Sequence, residues 1–287
     1  MFTNFHYKIY KGKYFHKKKR RLNPRVIAFD LDETLGSFTD LETLWCALQE
    51  YTGHNNPIEF NRLLDLYPEF LRYGIIPILK YLMEKKGTGE CSNIFIYTNN
   101  QCEIGWVERI SKYFDYTLNS KCVVFNQIIH AFKINNRRVE MSRTTHSKTH
   151  SDFIKCTLLP KSTEIFFLDN SQYPDMKQER VYYIQPKSYI HHLSTQEIIQ
   201  RFISSSLILT LSNTNKDVLK NYLLNYFIER DIYNVGNPRI KDLELDILIA
   251  QKLMYHLRDF FYIANANART KKVKQRFGHL TRKAYVR

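Results

Sequence analysis

VIAFDLDETLG, residues 26–36, decides the fold. Four apolar residues, two of them β-branched, follow Pro24 and run directly into Asp30 and Asp32. A strand buried on both faces of a parallel sheet ends in this way, with its polar residues at the carboxyl edge. The stretch therefore predicts a first core strand at 26–29 with acids at its tip.

Downstream, Thr39 and Glu42 stand in capping-box spacing after Gly36-Ser37-Phe38. Leu41, Leu44, Trp45 and Leu48 then recur at helical period as far as Gly53. A second helix is expected at 57–66, and a third at about 69–86, bent or restarted at Pro77 and closed by Gly87. A second strand, 93–97, leads into Thr98-Asn99-Asn100 and a helix carrying Ile104, Val107, Ile110 and Phe114. Residues 121–150 read as a loop or hairpin insertion, although Val123-Val124-Phe125 is strand-like. A short helix at 151–158 precedes strand 165–168, which ends in Asp169-Asn170-Ser171; 181–184 is the last strand. Helical pieces near 195–203, 215–229 and 239–262 follow, and no internal repeat is visible.

Strands alternating with helices predict an α/β, Rossmann-like parallel sheet with helices on both faces, a small helical insertion after the first strand and a mostly helical C-terminal extension. Ligands of such sheets sit at the carboxyl ends of the strands. The segments DLDET, TNN and DN and a lysine at a helix start all fall there. Lys148 stands before the 151–158 helix and 21 residues ahead of Asp169; Lys155, 14 residues ahead, is the second choice.

Each of these features alone is ordinary loop composition. Together, VIAFDLDETLG, IYTNN, a later lysine and IFFLDN resemble the haloacid dehalogenase-like superfamily over about residues 24–190. The resemblance implies Asp30 as nucleophile, Asp32 as general acid and base, Thr98 and a lysine holding the phosphoryl group, and Asp169 with Asn170 at a metal. Chemistry supports the set independently. A carboxylate can attack a phosphoryl group if a cation neutralises the charge between the two anions. Mg²⁺ is the expected cofactor, held by Asp30, the main-chain carbonyl of Asp32, Asp169 and Asn170. Thr34 is expected to orient Asp32, and Asn99 to join Thr98 at the phosphoryl oxygens.

DLDET with DNS is similar to the branch of C-terminal-domain phosphatases and NLI-interacting-factor-like phosphatases, as is LRYGIIPILKYL, where Tyr73 replaces a proline of that branch's pattern. The stretch SRTTHSKTHSDFIKCTLLPKSTEIFFLDN, with YPDM and VYYIQPKSYIHHLS after it, resembles the group encoded by large nucleocytoplasmic DNA viruses. The cellular phosphatases of the branch carry a small β element after their first motif; here the interval is helical, which suggests a cap and predicts Trp45 and Tyr51 in the core.

Charge is unevenly placed along the 287 residues. Of the net +15, nine Lys/Arg and no acid lie in residues 1–25, and eight and no acid in 269–287. The remaining 26 bases face 28 acids, so the body is close to neutral. The expected domains are thus a basic N-terminal arm (1–23), a catalytic domain (24–193) with the insertion at about 39–86, a helical extension (194–268) and a basic tail (269–287). Basic ends attract phosphate polymers or acidic partners without reading sequence, and KKKRR at 17–21 resembles a nuclear import signal.

Five scattered cysteines without a C-x-x-C pair suggest a reducing compartment, and no apolar run of about 18 residues suggests a membrane span. An intracellular protein of cytoplasm or nucleus, or one associated with a virus particle, is expected. His146, His150, His191 and His192 show no metal-ligand spacing. Lys133, Arg137, Arg138, Arg143 and His146 are candidates for lining an entrance for a phosphorylated substrate. The leading expectation is a phosphatase acting on phosphoprotein or on a nucleic-acid end. The second is a binding or assembly protein that docks through its basic ends.

Overall fold

The computed structural model describes residues 6–16, 23–53, 56–103, 105–211, 214–236 and 243–261. The basic runs at 17–21 and 269–287, and Ile104, lie outside them.

The described residues form an α/β fold around a six-stranded, mostly parallel sheet. The strands are β1 (Tyr7–Lys11), β2 (Arg25–Phe29), β3 (Asn93–Tyr97), β4 (Gln127–Ile129), β7 (Glu164–Leu168) and β8 (Val181–Pro186). A separate two-stranded hairpin consists of β5 (Lys133–Ile134) and β6 (Arg137–Arg138). The sheet order is β1-β8-β7-β2-β3-β4, with β1 alone antiparallel. Part of the segment expected as a basic arm is thus the edge strand of the sheet. Its Lys-x-x-Lys spacing hides a strand whose pairing partner lies some 175 residues downstream, and local sequence carries no such signal.

β2 sits at the centre. From it the chain proceeds to β3 and β4 on one side, then crosses to β7 and β8 on the other. The carboxyl ends of β2 and β7 therefore flank the point where the strand order reverses, the crevice in which ligands of open α/β sheets bind. Phe29 is in register with Leu168 and with Ile96, so Asp30, Asp169 and Thr98 leave the sheet at one edge.

The helices are α1 (Thr39–Thr52), α2 (Phe60–Asp65), α3 (Ile75–Gly87), α4 (Trp106–Thr117), α5 (His150–Thr157), α6 (Thr195–Ser204), α7 (Lys216–Glu229) and α8 (243–261). Both faces of the sheet are covered, unequally. Ile27, Phe29, Ile96, Phe166 and Tyr182 face a large core shared with every helix except α5. Val26, Ala28, Tyr97 and Phe167 face a smaller core closed by Phe153 of α5 and by Met176.

Two helix boundaries differ from the sequence reading. Thr39 lies inside α1, whose N-cap is Phe38 with no side-chain cap, because Glu42 turns instead to Cys102 (Sγ to Oε2, 2.8 Å). Residues Pro68–Phe70 are a separate 3₁₀ turn, and α3 begins at Ile75. Pro77 then falls in the first turn, where its missing N–H costs nothing and no bend follows.

The insertion and the C-terminal helices are packed into the same core as the strands. Leu41, Leu44, Leu79 and Leu82 are fully buried there. Phe260 of α8 packs edge-on against Phe166, with ring centroids 5.5 Å apart, and Lys11 of β1 reaches Asp259 at 2.7 Å. Trp45 is in the core against Phe60, as expected. No helix of the described residues is long and apolar enough to cross a membrane.

Candidate active site

Three segments meet beyond the carboxyl ends of β2, β3 and β7. Lys148 immediately precedes Thr149, which caps α5 by accepting the Asp152 N–H at 3.0 Å. That cap fixes the start of α5 and places Lys148 at the strand ends. Its ammonium donates to Asp30 Oδ1 and, at 2.6 Å, to Asp169 Oδ2. All three side chains are buried. Lys155, by contrast, lies on the outer face of α5, with its side chain 54% exposed and 3.8 Å from Asp152. Of the two candidate lysines, Lys148 is the one at the cluster.

Asp30 is held on both sides. Its amide donates to the Leu168 carbonyl (2.9 Å), which continues the β2–β7 ladder by one residue. The Thr34 hydroxyl lies 3.1 Å from Asp30 Oδ2 and 2.8 Å from Asn170 Oδ1, and it accepts the Asn170 N–H at 3.1 Å. Thr34 therefore couples Asp30 to Asn170 and does not orient Asp32, a correction to the sequence reading. The tight turn after Asp32 bends Thr34 back over the end of β2. Glu33 adopts a left-handed φ of 57°, and Leu35 N–H bonds back to the Leu31 carbonyl at 2.8 Å. Gly36 allows this turn to lie against the insertion, since a Cβ there would collide with the Phe38 ring and the Phe70 carbonyl.

Asp32 is instead held by Asn100, whose Nδ2 donates to its Oδ2 at 2.9 Å. Burial pushes the Asp32 carboxyl up to about 6 against the opposing effect of that hydrogen bond. Burial likewise raises Asp169 above the usual carboxylate range. Lys148 loses solvation too, but the attraction of Asp169 and Asp30 outweighs that loss and holds its ammonium above the ordinary lysine value.

Thr98 is wholly buried and its hydroxyl accepts the Asn100 N–H at 2.9 Å. The Asn99 side chain is committed elsewhere, donating to Tyr173 Oη (3.0 Å) and accepting from Arg143 (2.7 Å). The phosphate contact expected of Asn99 is its main-chain amide, which these side-chain bonds leave untouched. Arg143 is also misplaced by the sequence reading, which set it at a solvent-facing entrance. It is fully buried and donates to the carbonyls of Thr98 (2.9 Å), His130 (2.7 Å) and His146 (3.0 Å), so it braces the loops after β3 and β4.

Arg72 has a similar role below the site, donating to the carbonyls of Thr34 (2.6 Å), Glu33 and Lys187 (2.9 Å). Sequence reasoning assigned neither arginine a bracing role. The available signal for Arg72 was a charge set between the apolar pairs Phe70-Leu71 and Ile75-Ile76. Arg143 lies in a polar stretch where nothing marks it as buried.

The donor chemistry suits a hard cation. Asp30 and Asp169 set two buried carboxylates against one ammonium, Asp32 is part-buried nearby, and the Asn170 Oδ1 atom adds a neutral oxygen. Among the described residues, no three His, Cys, Asp or Glu side chains converge as a metal-ligating group. A cation would thus depend on the amide and main-chain oxygens as well as on Asp30 and Asp169.

No protein-family model matches the chain, and no curated protein or solved structure matches it.

Proposed function

We propose that the protein is a Mg²⁺-dependent phosphomonoester hydrolase of the haloacid dehalogenase type, with Asp30 as nucleophile. One observation carries this reading. Lys148 bridges Asp30 and Asp169, 118 and 21 positions away in the chain, inside the crevice where the strand order reverses. Buried ion clusters of this kind add little net stability, so stability alone gives no reason to build one at a ligand-binding edge.

In the proposed reaction a carboxylate oxygen of Asp30 bonds to phosphorus as the bond to the leaving oxygen breaks, and Asp32 gives its proton to that oxygen. Asp32, now ionised, takes a proton from water. The water oxygen attacks phosphorus, the bond to Asp30 breaks, and orthophosphate leaves. A carboxyl raised to about 6 suits both duties, since either form is accessible near neutrality. Lys148, the Thr98 hydroxyl and the Asn99 main-chain amide hold the non-bridging oxygens. Mg²⁺ on Asp30, Asp169, Asn170 and the Asp32 carbonyl would offset the charge between nucleophile and substrate.

Hydrolysis of para-nitrophenyl phosphate tests the reading. Turnover is expected with Mg²⁺, to be lost in EDTA, and to be lost in Asp30→Asn at matched circular dichroism. Wild-type turnover in Asp30→Asn, or turnover indifferent to Mg²⁺, overturns it.

A further inference from the structure

The β5–β6 hairpin has no part in the chemistry above. It begins four residues beyond the end of β4, and β4 runs parallel to β3, so the chain enters the hairpin from the carboxyl edge where Asp30 and Thr98 lie. A chain of bonds links it to that edge. Arg138 donates to the carbonyls of Met141 (2.7 Å) and Arg143 (2.8 Å); Arg143 in turn holds the Thr98, His130 and Ser147 carbonyls; and Lys148 follows Ser147.

The hairpin carries Lys133, Arg137 and Arg138, with Arg137 and Arg138 exposed. Among the described residues none of the three pairs with a carboxylate, and Glu140 is the only acid between positions 130 and 150. Lys133 and Arg138 both lie over the Phe132 ring, at 5.3 and 5.2 Å from its centroid, and His146 packs edge-on to it at 5.3 Å. Phe132 thereby carries two cations against its ring, with His146 at its side.

We infer that this hairpin is a subsite for the phosphodiester backbone next to a terminal phosphate, so that the substrate is a phosphorylated polynucleotide end, bound without reading sequence. This rests on the phosphatase reading of Asp30. Unpaired guanidinium and ammonium groups beside a phosphate site favour a second anion, and guanidinium forks fit phosphate oxygens. A polynucleotide end supplies that second anion in every sequence, whereas a phosphopeptide supplies one only where it happens to be acidic. Cations without an acidic partner, held beside the site, fit recognition of the backbone, since phosphate contacts position a polynucleotide without reading its bases.

The test is fluorescence anisotropy of a labelled single-stranded dodecanucleotide carrying a terminal phosphate, titrated with the full chain in EDTA over a range of salt. The double variant Lys133→Ala/Arg137→Ala spares Arg138 and its bracing bonds. It is expected to weaken binding and to make the slope of log K against log salt shallower by about 1.4, which is about 0.7 for each phosphate that no longer meets a cation. Charge reversal by Arg137→Glu should weaken binding further. An unchanged slope and affinity in the double variant overturns the subsite. So does a phosphopeptide of equal charge that binds the wild type more tightly than the oligonucleotide. Hydrolysis of para-nitrophenyl phosphate by the wild type reports separately on the phosphatase reading, so either idea can fail without the other.

Discussion

Lys148 Nζ lies 2.6 Å from Asp169 Oδ2, and neither side chain is more than 1% exposed. Removing the ammonium leaves two buried carboxylates facing each other with no counter-charge. Lys148→Met should therefore destabilise the fold by about 3–5 kcal/mol, the usual cost of breaking a buried pair from one side. Adding Asp169→Asn to Lys148→Met should recover part of that loss. Urea unfolding of the wild type and the two variants measures both; a double variant less stable than Lys148→Met would contradict the pairing.

Asp32 makes stability depend on pH with a definite sign. Its folded-state carboxyl is raised from 3.8 to about 6, so the native state holds a proton that the unfolded chain releases earlier. Stability contributed by that proton is present below about 4 and is lost as pH rises to about 6. A shift of this size costs about 3 kcal/mol at neutrality. Asp32→Asn should therefore raise the melting temperature relative to wild type at pH 8 in EDTA, with the gain shrinking towards pH 4. A gain independent of pH would remove the assignment. Asp169 is raised in the same direction, but it is present in both proteins and cancels from the comparison.

Arg143 satisfies several carbonyls at once, and lysine cannot reproduce that planar fork. Arg143→Lys should cost about 2–4 kcal/mol by leaving buried carbonyls without donors. Its effect should reach the loops after β3 and β4, read as faster amide exchange at residues 98–100 and 143–148. A substitution that left exchange there unchanged would show that the guanidinium does not brace the site.

Phe260 tests whether α8 belongs to the core. It is fully buried among Phe15, Phe166 and Tyr182. Phe260→Ala should cost about 3–5 kcal/mol, as large-to-small changes at aromatic core positions do. Loss of cooperative unfolding is the expected result of ending the chain at 242. A truncated chain with wild-type stability would make α8 an accessory.

Much of this arrangement is legible in the order of residues. The apolar runs at 26–29, 93–97 and 165–168 announce buried parallel strands, and the acids and threonine that follow them stand one residue beyond the ladder. Hydrophobic periodicity likewise marks α1, α4, α6 and α7. These signals are local, because strand burial and helix amphipathicity are imposed residue by residue. β1 escaped because an edge strand is half exposed and need not be apolar. β4 escaped because three residues carry too little periodicity, and the buried Val124 and Phe125 beside it mimic a strand.

The sequence alone determined the sheet's central strands and the identity of the side chains at their carboxyl ends. Tertiary structure alone decided what each of those side chains touches. Thr34 lies against Asp30 and Asn170 and not Asp32, Asn100 holds Asp32, Lys148 and not Lys155 enters the cluster, and Arg143 is buried under the loops. The physical reason is range: secondary structure follows from interactions within a few positions, whereas a hydrogen bond between residues 45 or 68 positions apart exists only once the strands and turns have brought them together.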